Sequence, residues 1–501
     1  MKLVKILRVF MFIVLLGTIT SSCLAMTATC SDNTEVDNDG GGNNSGIIRS
    51  DHLAEQNILR SMQLVDSAVS YHFKGEGMAM SRYYNPYTNS NVNKDGTDEK
   101  GSVWMYTSSI EAVNAILHGL KAHKENGRAE LYDKHFNRYT ALLAKLYDNI
   151  AYYKGTFRLT SYTQTKDWSV YGVDRGNAKG TAQVEGIYNV YDDQQWLMRE
   201  LIEAYRLTGS YTYLTEAEYL AEYVLDGWDC VLDTNGKEYG GIPWGPGYVT
   251  KHSCSNGPVV SPLVWLHELY KGKNDEISYK YIATDGSRKT ATLKKSDYYL
   301  KFAKAVYAWQ KTNLLREDGV YHDMMGGCDP DCNVAYETVN GVTYRKHTNL
   351  RDRGGAAYSY NCGSMLSGAA DLYRATGENT YVEDAKKLSD ASFKYFAKQG
   401  VNKPGYYTYD IIGFNNWFNG VLMRAYVDVY PSYNNASAYV DSFQKNLDYG
   451  YENFFYKGFL PPDLLAGWTR ENGNNRVEGM FTFAFAAEYA TLARYELEKN
   501  N

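Results

Sequence analysis

The chain has 501 residues, 44% hydrophobic and 22% charged, with a formal net charge of −6. That describes a soluble globule with ample core and no basic field for nucleic acid. The compositional outlier is aromatic content, 15%, carried by 47 Tyr against 17 Phe; a flat apolar ring bearing a hydroxyl suits carbohydrate surfaces and interhelical packing alike.

The first residues read as an export signal. Lys2, Lys5 and Arg8 precede an apolar stretch from Val9 to Ile19 that is too short to span a bilayer, so residues 1–22 are expected to be removed. Thr20-Ser21-Ser22-Cys23 resembles a lipoprotein cleavage box with Cys23 as the lipidated residue, although it lacks the usual Leu three positions before the Cys. The alternative is ordinary cleavage after Ala25. Residues 23–49, with Asp39-Gly40-Gly41-Gly42-Asn43-Asn44-Ser45-Gly46 and no apolar period, read as a flexible tether. The expectation is an exported lipoprotein at the outer membrane, the cell surface or the periplasmic face, with one folded domain over 50–501.

From Asp51 onward the apolar pattern has a helical period and strand-like alternation is scarce. Helices are predicted at 51–73, 103–124, 129–153, 190–208, 212–229, 255–271, 295–314, 357–376, 379–399, 413–431, 435–454 and 476–499. The tight links after 208 and 376 imply antiparallel hairpins. Those two hairpins are alike: Tyr205-Arg206-Leu207-Thr208-Gly209 leads to Tyr213 and Ala217, and Tyr373-Arg374-Ala375-Thr376-Gly377 leads to Tyr381 and Ala385. In each, the Gly supplies a left-handed cap. Twelve helices in repeated hairpins predict an all-α fold, a closed double ring of six inner and six outer helices; an open helical solenoid is the alternative. Long links at 74–102, 154–189, 230–254, 272–294, 315–356 and 400–412 are expected to gather at one end as a cleft.

Cysteine usage agrees with export. Apart from Cys23 and Cys30 there are five: Cys230, Cys254, Cys328, Cys332 and Cys362. Cys328 and Cys332 are placed to close a small loop. No metal site and no cofactor is expected, because the His are scattered and no zinc, dinucleotide, Walker or nucleophile-elbow motif occurs.

Chemistry concentrates in Tyr191-Asp192-Asp193-Gln194-Gln195-Trp196, where a loop hands over to a helix. For an arbitrary helix start, capping and dipole are the commoner reasons for such acids. Two adjacent carboxyls flanked by aromatics are also what a glycosidase needs. Neighbouring side chains can bring their carboxyls to about 5 Å, the separation of a retaining enzyme, and one pKa should then rise while the other stays low. Candidate sugar contacts are Trp104, Tyr191, Trp196, Trp244, Tyr360 and Trp417 by stacking, Asn256 and Asn361 by hydrogen bonding, and Asp323 as a third acid on a loop. For each of these, packing or turn-making is the competing role.

The stretch Val190-Tyr191-Asp192-Asp193-Gln194-Gln195-Trp196, running into Leu201-Ile202-Glu203-Ala204-Tyr205 and Thr208-Gly209, resembles glycoside hydrolase family 76, the endo-acting α-1,6-mannanases and related fungal cell-wall enzymes. Gly240-Gly241-Ile242-Pro243-Trp244, Lys251 through Ser255-Asn256-Gly257, and Tyr360-Asn361 with Gly363 agree with it, so the resemblance spans most of 100–430. It implies an (α/α)6 barrel and hydrolysis of α-1,6-linked mannan with retention. It also implies Asp192 as nucleophile and Asp193 as general acid/base, an order that adjacency alone leaves open. Departures lie in Gln194-Gln195-Trp196, in Cys254 and Cys362 inside matched loops, and in 272–294, which reads as an insertion. The partners expected are α-mannan or α-manno-oligosaccharides and a membrane through the lipid, with no nucleic acid, and the chain is expected to be a monomer. The competing readings are a non-catalytic glycan-binding lipoprotein and an (α/α)6 transglycosylase or unsaturated-uronyl hydrolase.

Overall fold

A computed structural model describes residues 44–469 and 475–499. The expected signal, Cys23 and most of the expected tether lie outside the described residues. The residues from Ile47 onward form one compact unit.

Twelve α-helices run through the described residues: α1 (Asn44–His72), α2 (Val103–Glu125), α3 (Ala129–Ile150), α4 (Tyr191–Thr208), α5 (Tyr211–Asp226), α6 (Gly257–Tyr270), α7 (Lys295–Leu314), α8 (Ser359–Thr376), α9 (Asn379–Phe396), α10 (Asn415–Val429), α11 (Ala436–Phe454) and α12 (Gly479–Glu498). Helix α1 begins at Asn44, inside the stretch expected to be a tether. Once a helix is nucleated, each added residue gains a backbone bond at little further cost, so a polar sequence can extend it.

The even-numbered helices pack each on the next, and α12 closes against α2. The odd-numbered ones lie outside: α3 on α2, α5 on α4, α7 on α6, α9 on α8, and α11 on α10 and α12. Helix α1 completes the outer layer through Ser61 Oγ donating to Ala486 O (2.6 Å) and Asn57 Nδ2 donating to Gln444 (2.8 Å). This is the (α/α)6 double ring, closed and not an open solenoid. The sequence explains which helix goes where. Helix α12 buries 18 of its 20 residues, whereas α3 buries 5 of 22 on a single stripe; a helix apolar all round must be inside, and an amphipathic one covers it. Close approach between inner helices uses small residues: a Cβ on Gly363 of α8 would lie 2.9 Å from Val421 O and 3.0 Å from Leu422 Cα in α10.

The matched hairpins form as expected. Gly209 and Gly377 end α4 and α8 with φ of 71° and 70°, their N–H groups bonded to Tyr205 O and Tyr373 O. Inner-to-outer links are short except the one after α6, and outer-to-inner links are long and gather at the N-terminal ends of the inner helices. Two details differ from expectation. The link 455–478 is also long and joins this end. The segment 272–294 follows an inner helix, so it starts at the opposite end; it forms the hairpin of β4 (Glu276–Ile282) and β5 (Arg288–Lys294). Its turn reaches the other links, with Arg288 donating to Tyr162 O (3.2 Å) and Glu337 (3.1 Å).

The long links also hold more strand than the helical pattern suggested. β1 (Lys154–Thr160) pairs with β2 (Thr165–Tyr171), and β7 (Tyr336–Val339) with β8 (Val342–Arg345). A three-stranded antiparallel sheet orders β9 (Asn349–Gly354), β6 (Met324–Asp329) and β3 (Lys251–His252). Short strands framed by turns show too few alternations to stand out in sequence. Cys328 and Cys332 are disulfide-bonded, while Cys230, Cys254 and Cys362 are free and buried. Among the described residues no helix is long and apolar enough to cross a membrane.

Candidate active site

Helix α4 starts at Tyr191, so Asp192 and Asp193 occupy its first turn. The residue preceding the helix is Val190, which makes no side-chain cap, so Asp192 lies inside the first turn and not at the capping position weighed for it. The two glutamines that follow fix the turn in place. Gln194 accepts from Tyr171 N (3.1 Å) and donates to Tyr171 O (2.7 Å) at the end of β2, and Gln195 donates to Ser255 O (2.7 Å). Both are fully buried, so these departures from the family pattern anchor the acids to the flanking links.

The loop opposite is built by Asn256 and Ser255. Asn256 Oδ1 accepts from Ile242 N (2.8 Å) and Nδ2 donates to Ile242 O (3.0 Å) and His252 O (2.7 Å). Ser255 Oγ donates to Ile242 O (2.9 Å). These bonds hold Gly240-Gly241-Ile242-Pro243-Trp244 against 252–256 and bring Trp244 and Cys254 up to Asp192. The register Lys251↔Met325 and His252↔Met324, with Ser253 N bonded to Asp323 O (2.7 Å), then sets Asp323 beside Cys254. A buried cluster fixes the same loops from behind: Asp229 accepts from Lys251 Nζ (2.7 Å) and pairs with His347 Nδ1 (2.7 Å). Burial alone would raise the Asp229 carboxyl, but the Lys251 charge and the His347 bond hold it below the usual range.

The two acids differ in what surrounds them. Burial pushes Asp192 up to about 6, partly offset by the Cys254 thiol, the Trp244 indole and the backbone N–H groups of Asp192 and Asp193. Even so, Asp192 Oδ1 and Trp244 Nε1 complete no hydrogen bond within the protein. Burial pushes Asp193 well above the ordinary carboxyl range, and the charge on Asp192 pushes it further. Asp192 is therefore the group that ionises first and Asp193 the group that keeps its proton. Asp323 is also raised, to about 6, by burial and by Asp192, with Asn361 acting against the shift.

Of the residues singled out in sequence, Asp192, Asp193, Trp244, Asp323, Tyr360 and Asn361 come together. Tyr360 stacks on Phe418 at 4.1 Å, and Asn361, buried, completes no side-chain hydrogen bond within the protein. Trp104 is half-buried at the start of α2 and meets Phe414 and Trp417 edge-on at 4.9 and 5.1 Å. Tyr191, Trp196, Trp417 and Asn256 sit behind the surface, at 1%, 6%, 3% and 0% exposure. Tyr191 packs on Tyr223. Trp417 meets Trp196 edge-on at 4.9 Å and donates its indole N–H to Glu111 at 3.0 Å. Their rings support the site from below, because each is already engaged by protein partners. Sequence reasoning gave no role in the site to Cys254, to Tyr248, whose ring packs on Trp244 at 4.7 Å, or to Phe418; their proximity depends on links folding over one another. Among the described residues no group of His, Cys, Asp and Glu is arranged to hold a metal ion.

Residues 282–447 match the sequence model described as Glycosyl hydrolase family 76; that segment contains Asp323, Tyr360, Asn361 and Trp417 but not Asp192 or Asp193. No curated protein matches the chain. Among solved structures, a family 76 mannosidase from Bacteroides thetaiotaomicron VPI-5482 is similar over 90% of this chain and 100% of its own, with a TM-score of 0.64 and 21% identity. The α-1,6-mannanase GH76A from Salegentibacter sp. HEL1_6 is similar over 88% of this chain and 99% of its own, with a TM-score of 0.55 and 17% identity. An inactive variant of that mannanase, with two consecutive aspartates replaced by asparagines and in complex with α-1,6-mannotriose, is similar over 88% and 99%, with a TM-score of 0.54 and 16% identity. The family match over 282–447 agrees with the resemblance carried by the motifs, and the solved family 76 structures share the fold of this chain.

Proposed function

We propose that this protein is an exported, lipid-anchored endo-α-1,6-mannanase that cleaves α-mannan with retention. The observation that carries the reading is the pair Asp192–Asp193, buried side by side, both raised by burial but with Asp193 raised further, so that Asp192 ionises first. In the first step an Asp192 oxygen attacks the anomeric carbon while Asp193 gives its proton to the departing glycosidic oxygen. In the second, Asp193 takes a proton from water, whose oxygen attacks the same carbon and releases Asp192. Asp323 and Asn361 hydrogen-bond sugar hydroxyls beside the pair, and Trp104 and Trp244 give the ring faces their apolar contact. The inactive double-aspartate variant of the Salegentibacter mannanase with bound α-1,6-mannotriose supports both the pair and the substrate class.

Incubation with debranched α-1,6-mannan tests the activity: oligosaccharides of several lengths should appear from the start, with the new reducing ends first released as the α-anomer. Binding without shorter products would favour a glycan-binding lipoprotein and overturn the enzyme reading. Export and lipidation are tested by labelling with a radioactive fatty acid, which Cys23→Ala should abolish.

A further inference from the structure

We propose a second sugar-binding patch on the cleft wall, formed by Arg82, Tyr83, Phe414 and Ile412, which holds mannosyl units beyond those at Asp192 and Asp193. It rests on the α-mannan reading above. The patch lies where the links entering α2, α10 and α12 meet. Tyr83 and Tyr84 pair with Glu478 and Val477 just before α12. Arg82 is locked by three bonds: Nε and Nη2 to Glu478 (3.1 and 3.0 Å) and Nη1 to Glu99 (2.7 Å). Its guanidinium lies 4.9 Å from the Tyr83 ring centre and 5.4 Å from that of Phe414.

Aromatic contacts run from the catalytic helix to this patch without a break. Trp196 stands one turn beyond Asp192 and meets Trp417; Trp417 meets Trp104, and Trp104 meets Phe414. Two residues from Phe414, Ile412 is 79% exposed, the largest exposure among the large apolar side chains of the described residues. Its backbone is fixed by Asp410, whose carboxylate accepts from Ile412 N (2.9 Å) and Asn415 Nδ2 (3.0 Å). The Tyr83 and Phe414 rings against the Arg82 guanidinium, the exposed Ile412 side chain two residues from Phe414, and the part-exposed Arg82 and Glu99 groups (20% and 39%) match a neutral polyol: apolar C–H faces edged by hydroxyls that both donate and accept. Because the ion pairs already fix Arg82, sugar binding costs little side-chain entropy there.

Calorimetric titration of α-1,6-manno-oligosaccharides of three and eight units tests this without turnover when done in an Asp193→Asn background. The ratio of the two affinities should fall at least tenfold when Tyr83→Ala or Ile412→Asp is added. Ile412 is exposed, so Ile412→Asp leaves folding intact, and an unshifted melting temperature verifies it. An unchanged ratio in Ile412→Asp, or an equal loss for both lengths, overturns the patch. If the wild-type protein hydrolyses none of these oligosaccharides but the length-dependent affinity behaves as stated, the catalytic reading falls and the patch stands.

Discussion

Replacing Asp193 by Asn separates the roles of two carboxyls that are neighbours in sequence. Asp192 titrates at about 6, so it is roughly nine-tenths ionised at pH 7 and about one-tenth at pH 5. For wild-type protein, kcat/KM on α-1,6-mannan should thus fall about tenfold per pH unit below 6. It should fall again on the alkaline side, where Asp193, raised by burial and by Asp192, loses its proton. On the proposed mechanism, Asp193→Asn removes the proton donor, whose contribution is typically 10²–10⁴-fold, or about 3–5.5 kcal/mol of barrier. It should also abolish the alkaline limb while leaving the acid limb in place. An aryl α-mannoside with an acidic phenol needs no protonation to leave, so its first step survives and hydrolysis of the intermediate becomes limiting. Azide, which needs no base, then restores turnover and gives the α-mannosyl azide. The assay is initial rates between pH 4.5 and 9, with product anomers assigned by NMR. An alkaline limb that persists in Asp193→Asn, or azide rescue of Asp192→Asn to the α-azide, refutes the assignment.

Three further outcomes follow from the packing around the site. Glu111→Leu leaves Arg424 without the carboxylate it pairs with and Trp417 without its 3.0 Å bond. Unpairing a buried charge costs about 3–5 kcal/mol, read as a drop in the urea midpoint; an unchanged midpoint counts against the brace. Gly363→Ala puts a methyl against the Val421 carbonyl at 2.9 Å and should destabilise by about 1–3 kcal/mol, whereas the same change at solvent-facing Gly180, where a Cβ meets nothing within 4 Å, tests φ strain alone. Glu488 is pushed up to about 8 by burial and by Glu111, so the folded chain keeps a proton that the unfolded chain releases above its ordinary value. Stability should therefore fall as pH rises from about 5 to about 8. Glu488→Gln should lose that part of the dependence when denaturation is compared at pH 5.5 and 8.5; identical slopes for variant and wild type would remove Glu488 as the cause.

The helices were legible because their packing repeats. An inner helix such as α12 must be apolar all round, an outer one such as α3 carries a single stripe, and Gly209 and Gly377 mark the same turn twice; each is a local signal of a few residues. The alternation of short and long links then fixed the end where a cleft forms, with 272–294 misplaced because its length resembles the cleft links while its position after an inner helix does not. The acid pair was visible in the sequence for the same reason, being contiguous. Which acid keeps the proton was not: that depends on Cys254 and Trp244, brought to Asp192 by the Asn256 clamp, and on the absence of any comparable donor at Asp193. Exposure was equally a tertiary matter. Trp244 and Trp417 both stand beside glycine- or asparagine-rich turns, yet one is half-buried beside Asp192 and the other is bonded to Glu111 beneath it. Residue type sets what a side chain can do, and the closing of six links over one ring decides which side chains reach the cleft.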